Sequence, residues 1–239
     1  MLVKTQAIVL STTKYGESDL IARLYTREVG TQSFMLKGVR KSRKGKLRVS
    51  LFQPLTQLRL QFNHKNKGQL EYIKEAQLDI FYETVYSHIV KSSIVMFFSE
   101  VLSQILKEQQ PDPDVYDYLS VAFQYLDQSS ELSNFSIKVL VDLTSFLGFA
   151  PDMEQSHLPY FDMVNGGFDN DGLQPHHTTD HEASLLKLFI GTKFENVQKI
   201  KMNRDQRSRL LHTVIDYFQI HLHAFKKPTS LSFLKQIFD

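Results

Sequence analysis

Residues Thr31–Phe62 read TQSFMLKGVRKSRKGKLRVSLFQPLTQLRLQF. Two apolar runs flank a cationic stretch. Thr31–Lys37 carries Phe34 and Leu36 two residues apart, the period of a pleated strand with one buried face. Val49–Phe62 offers Leu51, Leu55, Leu58, Leu60 and Phe62 as core positions, the last three alternating. Pro54 has no backbone N–H to give a ladder, so it requires a bulge, a break or an edge position. Between the runs lies KGVRKSRKGKLR, Lys37–Arg48, with seven Lys or Arg in twelve residues, two glycines and no apolar period. This pattern predicts two strands joined by a long, polar loop.

Working outward, the same strand signals recur. Val3–Thr12 is rich in β-branched residues and ends before the turn-forming Tyr15-Gly16-Glu17-Ser18. Asp19–Thr26 alternates around Leu20, Ala22 and Leu24, and Gly30 marks the next turn. Beyond Phe62, the polar Asn63–Gly68 leads to a last run at about Gln69–Gln77. Five short strands with one long loop in residues 1–79 predict a small barrel, for which the five-stranded OB-fold is the natural scaffold. From Ile80 the period changes. Phe81–Lys107 places Val85, Ile89, Met96, Leu102 and Leu106 at helical steps. Further helices are predicted over Tyr116–Leu126, Asn134–Leu147, His181–Ile190, Arg204–Ala224 and from Pro228 to Phe238. Gly148 is placed as a C-terminal cap of the strongly apolar Asn134–Leu147 helix. The fold class is therefore α+β: an N-terminal barrel over residues 1–79, then a helical domain over 80–239. An irregular insertion interrupts the latter at about 150–180.

Charge is distributed unevenly. The 239 residues carry 28 Lys and Arg against 26 Asp and Glu, a formal net charge of +2. Between Val29 and Leu70 there are ten basic residues and no acidic one, leaving −8 for the remainder. An ordinary charge run is a solvated loop. A stretch of more than forty residues without acid is a concentrated positive field, and such a field attracts polyanions. Glycines let the backbone approach phosphates, and long cationic side chains displace condensed counterions. Lys37, Arg40, Lys41, Arg43, Lys44, Lys46 and Arg48 are thus the candidate DNA-binding residues. A second basic group, Lys193–Arg209, is interleaved with Glu195 and Asp205 and reads as helix-surface charge.

With no cysteine, disulfides, thiolate metal sites and thiol nucleophiles are excluded. The longest apolar run, Ile94–Phe98, is far below the ~20 residues needed to cross a bilayer, and the N-terminal run has no small-residue cleavage site. A cytoplasmic, nucleoid-associated protein is expected. His176, His177 and His181 lie close together and form the basis of a competing reading, a metal-dependent hydrolase or nuclease. The pattern lacks an H-E-x-x-H motif and a third ligand at a telling spacing. No nucleophile elbow, phosphate-cradling glycine loop or dinucleotide fingerprint occurs. A third reading is an RNA-binding OB protein.

These segments together resemble the RecO family of bacterial recombination mediators. Ala7-Ile8-Val9-Leu10, Tyr15-Gly16-Glu17-Ser18-Asp19 and Tyr25-Thr26-Arg27-Glu28-Val29-Gly30 follow the family's opening pattern. Lys37-Gly38-Val39-Arg40, Leu51-Phe52-Gln53-Pro54, Gly68-Gln69-Leu70, Leu147-Gly148-Phe149 and Tyr217…His221-Leu222…Lys227-Pro228 continue it in order. The resemblance implies an OB domain on a helical body and no catalytic residue or cofactor. It implies binding of single- and double-stranded DNA, strand annealing, and loading of RecA with RecR as partner onto strands coated by single-strand-binding protein. It also implies contact with that protein's acidic C-terminal tail, for which Lys138, a lone cation opening an apolar helix, is the candidate seat. Many members carry four cysteines in the region matching about Ser156–His177. Here the insertion is expected to be a degenerate, cysteine-free, zinc-finger-like element without metal, held by packing.

Overall fold

A strand needs one face of alternating apolar residues and a partner for its backbone, and Leu20, Ala22 and Leu24 meet both conditions. In the computed structural model, which describes residues 1–41, 47–65, 69–107 and 110–237, they lie on β2 (Asp19–Thr26) with their side chains buried. β2 pairs with β1 (Leu2–Tyr15) and β3 (Gly30–Leu36), and β1 pairs with β4 (Gln57–Asn63), which pairs with β5 (Ile73–Leu78). All four pairings are antiparallel, in the order β3-β2-β1-β4-β5. β1 serves two partners: Leu2–Ile8 meets β4 and Ala7–Tyr15 meets β2, with a register shift between Val9 and Ser11. A shift of that kind bends a strand, which lets the sheet curl around its apolar face. The two edges meet through a parallel bridge between Phe34 and Glu71. There the N–H of Met35 donates to the Glu71 carbonyl at 2.8 Å and the N–H of Glu71 to the Ser33 carbonyl at 3.0 Å. Phe34, Phe52 and Phe62 fill the space enclosed.

Pro54 breaks the run in which it lies, as its chemistry requires. Val49–Phe52 form a single 3-10 turn, and β4 starts only at Gln57. Leu55 sits between them with a left-handed φ of 62°, a conformation disfavoured for a branched side chain. Its burial and the hydrogen bond from its N–H to the Val9 carbonyl at 2.7 Å hold it there.

The helices α1 (Ile89–Ile105) and α2 (Pro113–Gln128) belong with the sheet in one compact unit, Met1–Gln128 with Pro228–Ser230. Polar ties join them to it. Ser99 donates to the Leu10 carbonyl at 2.6 Å, the Arg23 guanidinium to the Ser103 and Leu106 carbonyls, and Tyr25 to the Asp112 carbonyl at 2.9 Å. Arg27 binds both oxygens of Asp117 at 2.8 and 2.9 Å. The helical period of Phe81–Lys107 is realised only from Ile89, because Asp127 captures the segment before it. Its carboxylate accepts from the N–H groups of Glu83, Thr84 and Val85 at 2.8–2.9 Å. Lys91 adds bonds to the Thr84 hydroxyl and the Asp127 carbonyl.

The second unit, Ser129–Lys227 with Leu231–Asp239, is built on α3 (Phe135–Phe146), whose Ile137, Val139, Leu140 and Leu143 are all buried. Gly148, at φ 81°, ends it as its position predicts. A two-stranded hairpin follows, β6 (Tyr160–Asp162) with β7 (Gly167–Asp169), then α4 (Asp180–Phe189), α5 (Phe194–Val197), α6 (Arg204–His221) and α7 (Leu231–Ile237). Capping boxes start α4 at Thr179 with Glu182 and α6 at Asn203 with Gln206. The hairpin holds itself by packing: Phe161 and Phe168 ring centroids are 5.1 Å apart, and Tyr217 lies 5.2 Å from Phe161. Gly166 turns it at φ 72°, where a Cβ would stand 2.8 Å from the Tyr217 hydroxyl. A polar pair adds to this, His177 Nε2 to Asp169 Oδ2 at 2.8 Å, with the His177 side chain 6% exposed.

Burial pushes the Asp127 carboxyl up, but the N–H groups of Glu83, Thr84 and Val85 outweigh that and hold it below its ordinary value. A depressed native value means stability that is present above the unfolded value and lost as pH falls. Asp127→Ala is therefore expected to lower the unfolding free energy by about 2–4 kcal/mol at neutral pH. In urea titrations the deficit should shrink below about pH 4. His177 has the opposite sign. Burial would push its imidazole down, but the Asp169 hydrogen bond and the charges of Asp169 and Asp162 hold it above its ordinary value. Its contribution is full below about pH 6.5 and is lost as pH rises through the native value. The destabilisation caused by His177→Gln should accordingly be larger at pH 6 than at pH 8; equal deficits would remove the charge from the account.

Candidate nucleic-acid interface

The cationic loop starts where β3 ends, and its first residues are built rather than loose. Gly38 adopts φ 64°, and its N–H donates to Asp19 Oδ1 at 2.8 Å. Val39 turns inward and is buried in the barrel core, an anchor hidden from the sequence by the cations around it. The N–H of Arg40 bonds the Ser18 carbonyl at 3.0 Å, and that of Lys41 the Gly38 carbonyl at 3.2 Å. The loop base is thus laced to the β1–β2 connection. The Gly38 N–H, the Ser18 hydroxyl and the Lys37 charge together hold the Asp19 carboxyl below its ordinary value. Asp19 stays ionised and keeps the glycine turn in place.

This geometry brings Lys37, Arg40 and Lys41 to one end of the sheet. Arg40 Nη1 donates to the Glu17 carbonyl at 2.9 Å, and Lys41 Nζ lies 3.0 Å from Glu17 Oε2 with both side chains exposed. The Lys37 ammonium sits 5.1 Å from the centroid of the Tyr72 ring. Arg48 is exposed just before the Val49–Phe52 turn. Arg43, Lys44 and Lys46 fall outside the described residues. Exposed ion pairs such as Lys41–Glu17 contribute little and are screened by salt, so they do not compete strongly with a polyanion.

Lys138 is placed differently. It is 4% exposed, its Nζ lies 2.5 Å from Asp142 Oδ1 one helical turn on, and the Phe194 ring is 6.0 Å away. This ammonium is committed inside the second unit. Also in this unit, α3, α6 and α7 contribute to an apolar groove lined by Ile137, Leu211, Leu231 and Leu234, with Arg204, Arg207 and His212 among its walls. In the Lys193–Arg209 group, Lys199 bonds Asn196 at 2.7 Å, and Arg207 bonds Asn134 and the Met202 carbonyl.

The histidines proposed as a cluster have separate partners. His181 Nε2 faces the Gln206 amide at 2.7 Å, while His177 binds Asp169. Among the described residues, the group able to offer three ligands is Asp162, Asp169 and His177, with donor atoms within 4.8 Å of one another. The Asp162 carboxylate is already taken up by the Val164 and Asn165 N–H groups and the Asn165 amide. That constellation has no recognisable sequence spacing. Its hydrogen bonds tie the hairpin together locally. No helix of the described residues is long and apolar enough to cross a membrane.

Residues 1–81 match the family described as Recombination protein O N terminal, and residues 86–230 the one described as Recombination protein O C terminal. Among curated relatives, the DNA repair protein RecO of Christiangramia forsetii is 41% identical over 238 residues, covering 100% of both chains. The proteins of the same name from Flavobacterium johnsoniae and Flavobacterium psychrophilum are 38% and 36% identical over 243 residues, again at 100% of each chain. Two family matches in tandem and full-length identity of this order lead to one conclusion: the chain belongs to the RecO family.

Proposed function

We propose that this protein is a non-enzymatic DNA-binding recombination mediator acting in recombinational DNA repair in the bacterial cytoplasm. The observation that carries the reading is the acid-free cationic segment, whose base the structure fixes on the barrel rim, in a chain whose relatives are named DNA repair proteins. The strand order and the parallel Phe34–Glu71 bridge between the sheet's edges support an OB-type barrel over residues 1–79. The helical residues 80–239 then carry a cysteine-free remnant of a zinc-finger-like insertion in the β6–β7 hairpin. Sequence-independent phosphate contacts would let the protein hold one strand while a complementary strand pairs with it, which is what annealing requires. With RecR, the same grip on DNA would help RecA replace single-strand-binding protein.

That protein's tail, acidic and ending in phenylalanine, needs an apolar slot beside a cation. Because Lys138 is buried against Asp142, the groove of α3, α6 and α7, with Arg204 and Arg207 in its walls, suits the tail better. Arg204→Ala is expected to weaken a tail peptide by roughly tenfold, since a charge-assisted hydrogen bond contributes about 1.5–3 kcal/mol. Lys138→Met should leave peptide affinity unchanged and lower the melting temperature. A loss of affinity in Lys138→Met at unchanged stability would return the seat to Lys138.

For DNA, each phosphate neutralised adds roughly −0.7 to the log–log salt slope on single strands. Replacing Arg40, Lys41, Arg43 and Lys44 by alanine should flatten that slope by about two to three units in titrations between 50 and 200 mM salt. An unchanged slope would take the loop out of the DNA site. RNA of the same sequence in competition separates this reading from an RNA-binding barrel.

A further inference from the structure

The rim that carries the cationic loop also carries two exposed aromatic rings that the core does not use. Tyr72 is 48% exposed in the connection from β4 to β5, and Tyr15 is 54% exposed at the end of β1. Register places them on either side of Lys37. Leu20 pairs with Leu36 and both point into the core, so Asp19 and Lys37, one step along each strand, face outward at the same level. Tyr15 is the direct partner of Asp19 and shares its face. Tyr72 follows Glu71, which is bridged to Phe34, and its ring lies under the Lys37 ammonium at 5.1 Å.

Tyr72 is also held. Both backbone groups of Glu71 are bonded to β3, and the buried Glu71 carboxylate accepts from His64 Nδ1 at 3.0 Å and the Lys65 N–H at 2.8 Å. A ring on such a mount loses little freedom when a ligand lands on it. Lys37 covers one side, and about half of the Tyr72 surface is open to solvent. A flat, exposed ring beside a cation matches the two parts of a nucleotide, a base to stack and a phosphate to pair. In barrels of this type the β1–β2 and β4–β5 connections, here the homes of Tyr15 and Tyr72, border the oligonucleotide path. Duplex DNA keeps its bases stacked inside, so only an unpaired base can use the ring.

We infer that Tyr72, mounted beside Lys37, is a stacking platform for an unpaired base and gives this rim a preference for single-stranded DNA over duplex. The inference rests on the DNA-binding reading above and deepens it. Three ligands test it with the full-length protein: an oligo-dT, an abasic deoxyribose-phosphate oligomer of the same length, and a duplex of that length. Base–aromatic stacking contributes about 1–3 kcal/mol per base. Tyr72→Ala should therefore weaken oligo-dT binding by about tenfold while leaving the abasic oligomer, the duplex and the oligo-dT salt slope within error. Tyr72→Phe, which keeps the ring and drops the hydroxyl, should bind oligo-dT as the unaltered protein does. Tyr72→Leu keeps apolar bulk without a π face and should fail like alanine, with an unchanged melting temperature. If all three ligands weaken together, Tyr72 acts through Lys37 or the fold, and the inference is wrong. It is equally wrong if oligo-dT affinity survives in Tyr72→Ala. Should the unaltered protein bind none of the three ligands, the DNA reading itself fails first.

Discussion

The junction at Glu71 closes the sheet. A curled five-stranded sheet leaves two edges with unpaired backbone groups, and such edges invite pairing with other chains. Here β3 and the approach to β5 satisfy each other through the Met35 and Glu71 N–H groups. The Glu71 side chain, buried beside this junction, gathers the His64 imidazole and the Lys65 N–H and so fixes the start of the β4–β5 connection. Because β3 leads directly into the cationic loop, the bonds that join the sheet's edges also fix where that loop leaves it. Closure of the core and placement of the charge are one event.

A second constraint comes from polar groups that apolar patterning ignores. The carboxylate of Asp127 gathers three N–H groups from Glu83–Val85 and, with Lys91, ends what would have been the first turns of α1. Arg23 and Tyr25, on outward-facing parts of β2, reach carbonyls at or beyond the end of α1. The sheet and the first two helices therefore form one unit, tied in part by the bonds from Arg23 to the Ser103 and Leu106 carbonyls, of the kind that a helix end leaves unpaired. Loss of such a partner strands a buried donor or acceptor, which is why these contacts matter more than their number suggests.

This division explains what was legible in the sequence. The β2 register, the break at Pro54, the α3 helix with its Gly148 cap and the turn at Gly30 follow from period, proline chemistry and glycine's access to positive φ, all local properties. The late start of α1 was not legible, because the residue responsible, Asp127, lies about forty positions downstream. Val39 was missed as core because it sits among lysines and arginines, where no periodicity survives. Lys138 reads in the sequence as a lone cation because the pattern around it is apolar. Its partner Asp142 stood four residues on, a spacing that pairs charges on one helix face. The aromatic rim is not legible either: Tyr15 and Tyr72 are far apart in sequence, and strand register sets the one, closure at Glu71 the other, on either side of Lys37.

The two kinds of lysine in this protein show how environment, not charge, sets how readily a cation changes partners. Lys138 is desolvated, and a buried ammonium holds its carboxylate partner more tightly than an exposed one does. Lys41 also has a carboxylate partner, Glu17, at 3.0 Å, but both ends are in water. Leaving that partner takes a fraction of a kcal/mol to about 1 kcal/mol, and salt lowers it further. A polyanion replaces a single exposed carboxylate with a line of phosphates and releases counterions into the bargain. A rim of weakly paired, solvated cations is therefore ready to exchange its partners without reorganisation, which is what the proposed function asks of it.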